Sequence, residues 1–408
     1  MFGVRMTRAA RMLCAAAMLA GTAGLAAAQG AAPAPAPDPP PTDAPEAPAR
    51  FFDSVTVSAT LAPVTVGETP ATVSVIGDAT IARRMIETTA DLVKFEPGVY
   101  IDANVTRVGL NGFNIRGIGG NRVMTRVDGV ETSEQFDFGP FNVHQFSLDL
   151  DTLKTAEIVR SSASSLYGSD ALGGVVSFFT KDPADYLAGQ RRHAGAKLLF
   201  DGRNRDASGN GVVAFGSARV QASIFGSYGR GEEGRNRGTV ETADNTRTAP
   251  NPQRRSNLQA LGKVVAVLGE GNRLRGTVEI ADNVVRTDAY SSYARTVTGA
   301  SVTSVTGVVS NDDMQRQRYS VDQALDNRGW LNHLAWNLYV QRSTTGQVVD
   351  EVRATTSPSG ATTLLRAGTL EYEQDTVGGS VQARRLFEPL AQPLLVTAGG
   401  SYKRDVFD

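Results

Sequence analysis

The sequence predicts a transmembrane β-barrel preceded in the chain by a small α+β domain. Three observations carry this. From about residue 193 onward, apolar and polar residues alternate in strand after strand. The connections between those strands alternate in length, short then long. Just upstream, residues 51–185 break the alternation with a helical stretch, short strands and glycine turns.

The alternation has period two, which is that of a strand with unlike faces. In "RVQASIFGSYGR", Val220, Ala222, Ile224 and Tyr228 share one face, and Arg219, Gln221, Ser223 and Ser227 the other. Leu274, Val278 and Ile280 oppose Arg273, Arg275, Thr277 and Glu279. Leu334, Trp336, Leu338 and Val340 oppose His333, Asn337, Tyr339 and Gln341. A soluble sandwich shares that pattern, so the connections decide. Short ones lie near Gly216-Ser217 and at 269–272, 326–329 and 388–392. Long polar stretches lie between them, at about 230–256, 287–315 and 342–368. Short periplasmic turns and long external loops are the habit of outer-membrane barrels. About nine strands can be read over 186–408, the last unfinished at "SYKRDVFD". An open sheet edge in lipid leaves backbone groups unsatisfied, so these strands are expected to be the N-terminal part of a larger barrel. A lumen wide enough to hold a domain is associated with about 22 strands.

The N-terminus reads as an export signal over 1–28: Arg5, Arg8 and Arg11, then an apolar run from Met12 to Leu25, then Ala26-Ala27-Ala28. The one cysteine, Cys14, falls inside it, so neither a disulfide framework nor a cysteine zinc site is expected in the exported chain. Residues 29–50 are rich in proline and alanine and read as an extended periplasmic linker. The near-zero net charge gives no sign of a nucleic-acid partner.

Within 51–185, "TADLVKFEPGVYI" is a helix with a Pro-Gly stop, and "GFNIRGIGGNRVMTRVDGVE" alternates short strands with glycine turns. "VRSSASSLYGSDALGGVVSFFTKDP" puts tight turns at Gly168, Gly173 and Gly174 ahead of a buried strand. That strand leads through Lys181-Asp182-Pro183 into the barrel.

These segments, in this order, resemble the TonB-dependent outer-membrane receptors, with 61–185 as the plug domain. "DSVTVSAT", within 51–60, resembles the TonB box, at Asp53, Ser54, Val55, Thr56, Val57 and Ser58. "GFNIRGIGGNRVMTRVDGVETSEQFDFG" and "GSDALGGVVSFFTKDPADYL" are most similar to the haem, haemoglobin, transferrin and lactoferrin receptors. The chain departs from them at Ser161-Ser162, where that subfamily usually has Gly-Pro. The resemblance implies energy-dependent import across a Gram-negative outer membrane, with the TonB protein as periplasmic partner and no catalysis. The implied cargo is haem, free or from a haem protein. A ferric siderophore is the alternative, with a vitamin or oligosaccharide behind it. The resemblance also implies that Arg116 and Arg160 pair with barrel glutamates and lock the plug; Glu279 has the parity to be one partner.

A haem site needs an axial ligand and apolar walls. His144 in "ETSEQFDFGPFNVHQFSL", with Phe136, Phe138, Phe141 and Phe146, offers both. Other chemistries fit poorly. "GIGGNR" lacks dinucleotide-loop spacing and a following helix, and no nucleophile elbow surrounds any serine. A barrel hydrolase would have no plug, and a passive porin or adhesin no periplasmic strand on a long leash.

Overall fold

The computed structural model describes residues 55–56, 64–65, 71–102, 112–134, 136–138, 141–143, 148–328, 330–387 and 394–407. The export signal, the linker, and Asp53, Ser54, Val57 and Ser58 lie outside the described residues.

The chain begins with β1 (Val55–Thr56) and β2 (Val64–Thr65), an antiparallel pair with Thr56 opposite Val64. Strand β3 (Val73–Gly77) runs into helix α1 (Asp78–Arg84), where the Asp78 carboxylate accepts from the Ala79 amide at 2.7 Å. Helix α2 (Thr89–Val93) starts on a capping box: Thr88 accepts from the Asp91 amide at 3.1 Å, and Asp91 accepts from the Thr88 amide at 3.2 Å. Strands β4 (Val99–Asp102) and β5 (Gly112–Ile115) form a ladder. Strand β6 (Val123–Val127) turns back at Asp128-Gly129 into β7 (Val130–Glu131). Positive φ at both turn residues, 49° and 84°, is the tight hairpin geometry that Asp-Gly favours. A hairpin of β8 (Phe136–Phe138) and β9 (Phe141–Val143) follows, then β10 (Leu153–Val159), α3 (Ser164–Tyr167), β11 (Gly174–Thr180) and α4 (Pro183–Leu187).

The plug's sheet has the order β3-β10-β11-β6-β7, with β6 and β11 parallel. One face buries Ile76, Phe113, Ile115, Ile158, Val176 and Phe178; the other buries Val73, Met124, Val159 and Val175. Both faces are covered, which is why the apolar residues of "VVSFF" fall on both sides of the strand, with Ser177 the one polar residue among them. Gly174 is forced by this packing: a Cβ there would sit 2.3 Å from the Val159 carbonyl oxygen, and its φ is +145°.

The wall is an antiparallel meander: β12 (Arg192–Asp201), β13 (Asp206–Gly216), β14 (Val220–Glu232), β15 (Gln253–Gly269), β16 (Asn272–Asp288), β18 (Ser301–Arg328), β19 (Leu331–Ser357), β20 (Gly360–Phe387) and β21 (Leu394–Phe407). Strand β17 (Ala294–Thr298) pairs only with the start of β18. Among the described residues β12 and β21 do not meet, so the barrel is partial.

The faces are those of a membrane wall, apolar outward. One cross-strand row reads Ile224–Gly262–Val278–Tyr319–Val340–Val377, and its neighbour Ala222–Val264–Gly276–Val321–Leu338. Leu338 is 61% exposed and Val264 51%. A hollow of about 990 Å³ lies along this apolar surface, where acyl chains belong. The inward rows, Ser223–Lys263–Thr277–Ser320 and Leu261–Glu279–Arg318–Gln341, are polar but for Leu261, and buried but for the half-buried Ser320.

Two of the stretches expected to be loops, 287–315 and 342–368, are mostly strand. Strands β18, β19 and β20 run 28, 27 and 28 residues, or about 90 Å at the usual rise. About 10 residues cross a bilayer, so the sheet continues far beyond it. Outside lipid the outer face no longer needs to be apolar, so the sequence loses its apolar stripe while the backbone ladder goes on.

Candidate functional site: the contact between plug and wall

The β6–β7 turn pushes Asp128 against the inner wall. Its carboxylate accepts from the Thr180 amide at 2.8 Å and the Thr180 hydroxyl at 2.6 Å, which ties β6 to the end of β11. Wall cations close round it. Lys263 stands 3.4 Å away and Arg318 3.5 Å, and the Arg318 guanidinium also donates to the Val127 carbonyl. The Lys263 side chain is fully buried and that of Arg318 is 1% exposed. Lys263 also donates to the Thr180 carbonyl at 3.1 Å and meets Asp182 at 3.3 Å. Asp182 is held by Arg275 at 3.0 Å, and Arg275 by Asp322 at 2.9 Å. Behind these, Glu279 bridges Arg316 and Arg318, the latter at 2.6 Å. Burial raises the Asp128 carboxyl, but Lys263, Arg275 and Arg318, with the Thr180 hydroxyl, outweigh it and hold it well below the usual carboxylate range. Asp182 is lowered in the same way, burial being overcome by Arg275 and Lys263.

A second contact lies near the start of β10. Lys197 of β12 meets Glu87 at 2.9 Å and Asp151 at 3.0 Å, Asn210 donates to Asp151 at 2.6 Å, and the Asp149 amide donates to Gln259 at 2.6 Å. These groups line a polar cavity of about 180 Å³ between plug and wall. Burial, then the neighbouring Asp151 carboxylate, push Asp149 up to about 6. A third contact joins Glu131 of β7 to Lys403 of β21 at 3.0 Å. The pairs of Asp128 with Lys263 and Arg318 are buried; such pairs add little net stability, but removing one partner strands a buried charge. They fix position.

The structure places the named arginines elsewhere. Arg160 stays inside the plug: it donates to Ser74 at 2.9 Å and to the Pro97 carbonyl at 3.0 Å, and meets Glu96 at 3.7 Å. It sits at the Val159 end of β10, whereas the contact with Glu279 and its neighbours is at the Thr180 end of the sheet. Arg116 is exposed at φ +53°, its amide bonded to the Gly98 carbonyl at 2.8 Å. Glu279 faces inward, but its charge partners are wall arginines, and Arg318 carries the link on to Asp128. Sequence reasoning missed Asp128, Lys263, Arg275 and Arg318. Val55 and Thr56 lie in β1, paired with β2. Phe136, Phe138 and Phe141 lie in the β8–β9 hairpin, with Phe138 opposite Phe141. His144 and Phe146 fall outside the described residues. Of the other histidines, His193 stacks on Tyr186 and His333 meets Asp326 at 2.6 Å, so each has a local partner. No group of His, Cys, Asp and Glu among the described residues is arranged to hold a metal ion.

Residues 65–175 match the family model of the TonB-dependent Receptor Plug Domain. A probable hemoglobin and hemoglobin-haptoglobin-binding protein 4 of Haemophilus influenzae is 35% identical over 130 residues, 29% of this chain and 13% of that protein. The ferripyoverdine receptor of Pseudomonas aeruginosa superposes with a TM-score of 0.58 at 12% identity, covering 88% of this chain and 55% of that one. The FrpB iron transporter of Neisseria meningitidis gives 0.51 at 12% identity, covering 81% and 61%. The chain thus spans little more than half of these receptor structures, and its alignment takes in a small part of the curated relative. The chain carries a domain of the TonB-dependent receptor plug family, followed by a wall of antiparallel strands with the fold of these receptor structures.

Proposed function

We propose that the full receptor imports a large, scarce ligand in an energy-dependent step, and that the cargo is haem or iron taken from a haem-binding protein. One observation carries the transport reading: a folded plug is clamped to the lumen wall through the buried Asp128, Asp182, Lys263, Arg275 and Arg318 cluster. A gate held this way does not open for a diffusing solute. It needs work done on it, and the resemblance of "DSVTVSAT" to the TonB box supports assigning that role to the stretch around Val55–Thr56, upstream of β3. The haem preference rests on the relative named for hemoglobin binding. The ligand docks from outside, the TonB protein takes the strand from the periplasm, and the pull moves the plug. No covalent step is involved.

Strand capture works through backbone hydrogen bonds, and proline removes the donor. Val55 and Thr56 have opposite parity, so at least one of Val55→Pro and Thr56→Pro must break a ladder bond to the coupling protein. We expect at least one of them to abolish uptake on intact cells while surface binding persists. Normal uptake in both removes this stretch from coupling. Loss of binding and uptake together makes β1 a folding element instead. For cargo, His144→Ala in the full receptor is expected to weaken haem binding and shift the Soret band; an unchanged spectrum takes His144 out of the site.

A further inference from the structure

We propose that a lumen-facing patch of the wall, formed by Thr287 of β16, Ser310 of β18 and Gln347 of β19, is a binding subsite for a neutral amide group on the incoming cargo. Three adjacent strands bring these side chains together. Thr287 is directly opposite Ser310, and Gln347 is opposite Asp312, two residues along the same face of β18. They share the inward parity of Glu279, Arg318 and Gln341.

The three residues are 0%, 2% and 2% exposed, and the Thr287 hydroxyl, the Ser310 hydroxyl and the Gln347 carbonyl oxygen have no hydrogen-bond partner. A single buried orphan is unusual, since such groups are nearly always paired. Three side by side, at positions where valine, alanine or leucine would fill the space at no such cost, point to a partner supplied from outside. Their chemistry defines it. Two hydroxyls each donate and accept, and a carboxamide oxygen asks for a donor. A secondary amide supplies N–H and C=O together and satisfies all three. An anion fits badly, because it has no donor to offer the Gln347 carbonyl oxygen. The haem propionates are thereby directed elsewhere, and the patch reads the peptide part of a cargo.

This inference rests on the import reading above. The test uses the full receptor on intact cells with Thr287→Val, Ser310→Ala and Gln347→Leu combined, and three probes: hemoglobin, a ferric peptide-hydroxamate chelate and free haem. We expect affinity for at least one amide-bearing probe to fall about tenfold, as for the loss of two or three net hydrogen bonds, with free haem unchanged. Which probe suffers tells a protein loop from a small peptidic chelator. The melting temperature should hold or rise, because buried orphans have been removed. Unchanged affinities for the amide-bearing probes, a lowered melting temperature, or a native receptor that takes up free haem alone would each overturn the subsite. Those outcomes leave the import reading standing as long as the native receptor's uptake needs the coupling strand. Absence of any energy-dependent uptake defeats that reading instead.

Discussion

Asp128 gathers more of the plug–wall contact than any residue named from the sequence. It had a legible signal: "VDGV" is a hairpin turn by its Asp-Gly pair. What the sequence could not show is that the turn's carboxylate ends in a buried nest of wall cations contributed from residues well over a hundred positions away. Arg160 illustrates the converse. Its charge was conspicuous, but a long guanidinium reaches several partners, and the nearer ones were Ser74 and Glu96 within its own domain. Neutralising Asp128 should leave Lys263 and Arg318 short of a counter-charge in a dry place. Asp128→Asn is therefore expected to loosen the plug by about 3–5 kcal/mol, read as increased leakage of a bulky hydrophilic antibiotic into cells. Leakage at the native level would mean that the cluster does not hold the gate. Asp149 has the opposite pH sense. Its native-state value of about 6 stands above the ordinary 3.8, so the folded plug holds that proton more tightly than the unfolded chain. The stability it contributes is present at low pH and lost as pH rises from about 4 to 6. Asp149→Asn, which keeps the acceptor oxygen, should raise the melting temperature near pH 7 and flatten its change between about pH 4 and 6; an unaltered pH profile would show the carboxyl to be ordinary.

At the scale of elements, the strands crossing the membrane were the most readable part of the chain. Lipid on one side and a wet lumen on the other impose period two, and Val278 beside Glu279 shows both environments in adjacent residues. Beyond the bilayer the same strands lost their signature. "TTGQVVDEVRATTSPSGATTLLRAG" reads as loop because neither face needs to be apolar, yet it is a continuous hairpin turning between Ser357 and Gly360. The plug's glycines were legible because turns and close packing both call for them: Gly168 takes a φ of +92° in open space, and Gly174 lies against the Val159 carbonyl. The outward rows give a clean test of the membrane assignment. Leu338→Arg places a charge on the lipid face and should cost about 2–4 kcal/mol near the bilayer midplane, seen as reduced assembly of the heat-modifiable receptor in the outer membrane. The conservative Leu338→Ile should assemble normally. Equal assembly of the two would argue that this face does not meet lipid.

At the scale of the whole molecule, the account is of a plug held to its wall by buried charges at several places along β12–β21, and released by a pull on the strand that precedes it. The order of the segments, plug before wall, was readable because each uses a different periodicity. The clamp between them was not, because pairing across a lumen leaves no local pattern in either partner. Cargo lies furthest from the sequence, since the side chains that would contact it converge only in the fold. The most direct measurement asks whether the plug must move against the wall. Glu131 and Lys403, an ion pair across that boundary at 3.0 Å, can be replaced by Glu131→Cys and Lys403→Cys in the full receptor and bridged with a short, cleavable thiol crosslinker. The account predicts that bridging leaves ligand binding at the cell surface intact and stops uptake, and that cleaving the bridge restores it. Uptake that continues at the native rate with the bridge in place would contradict it.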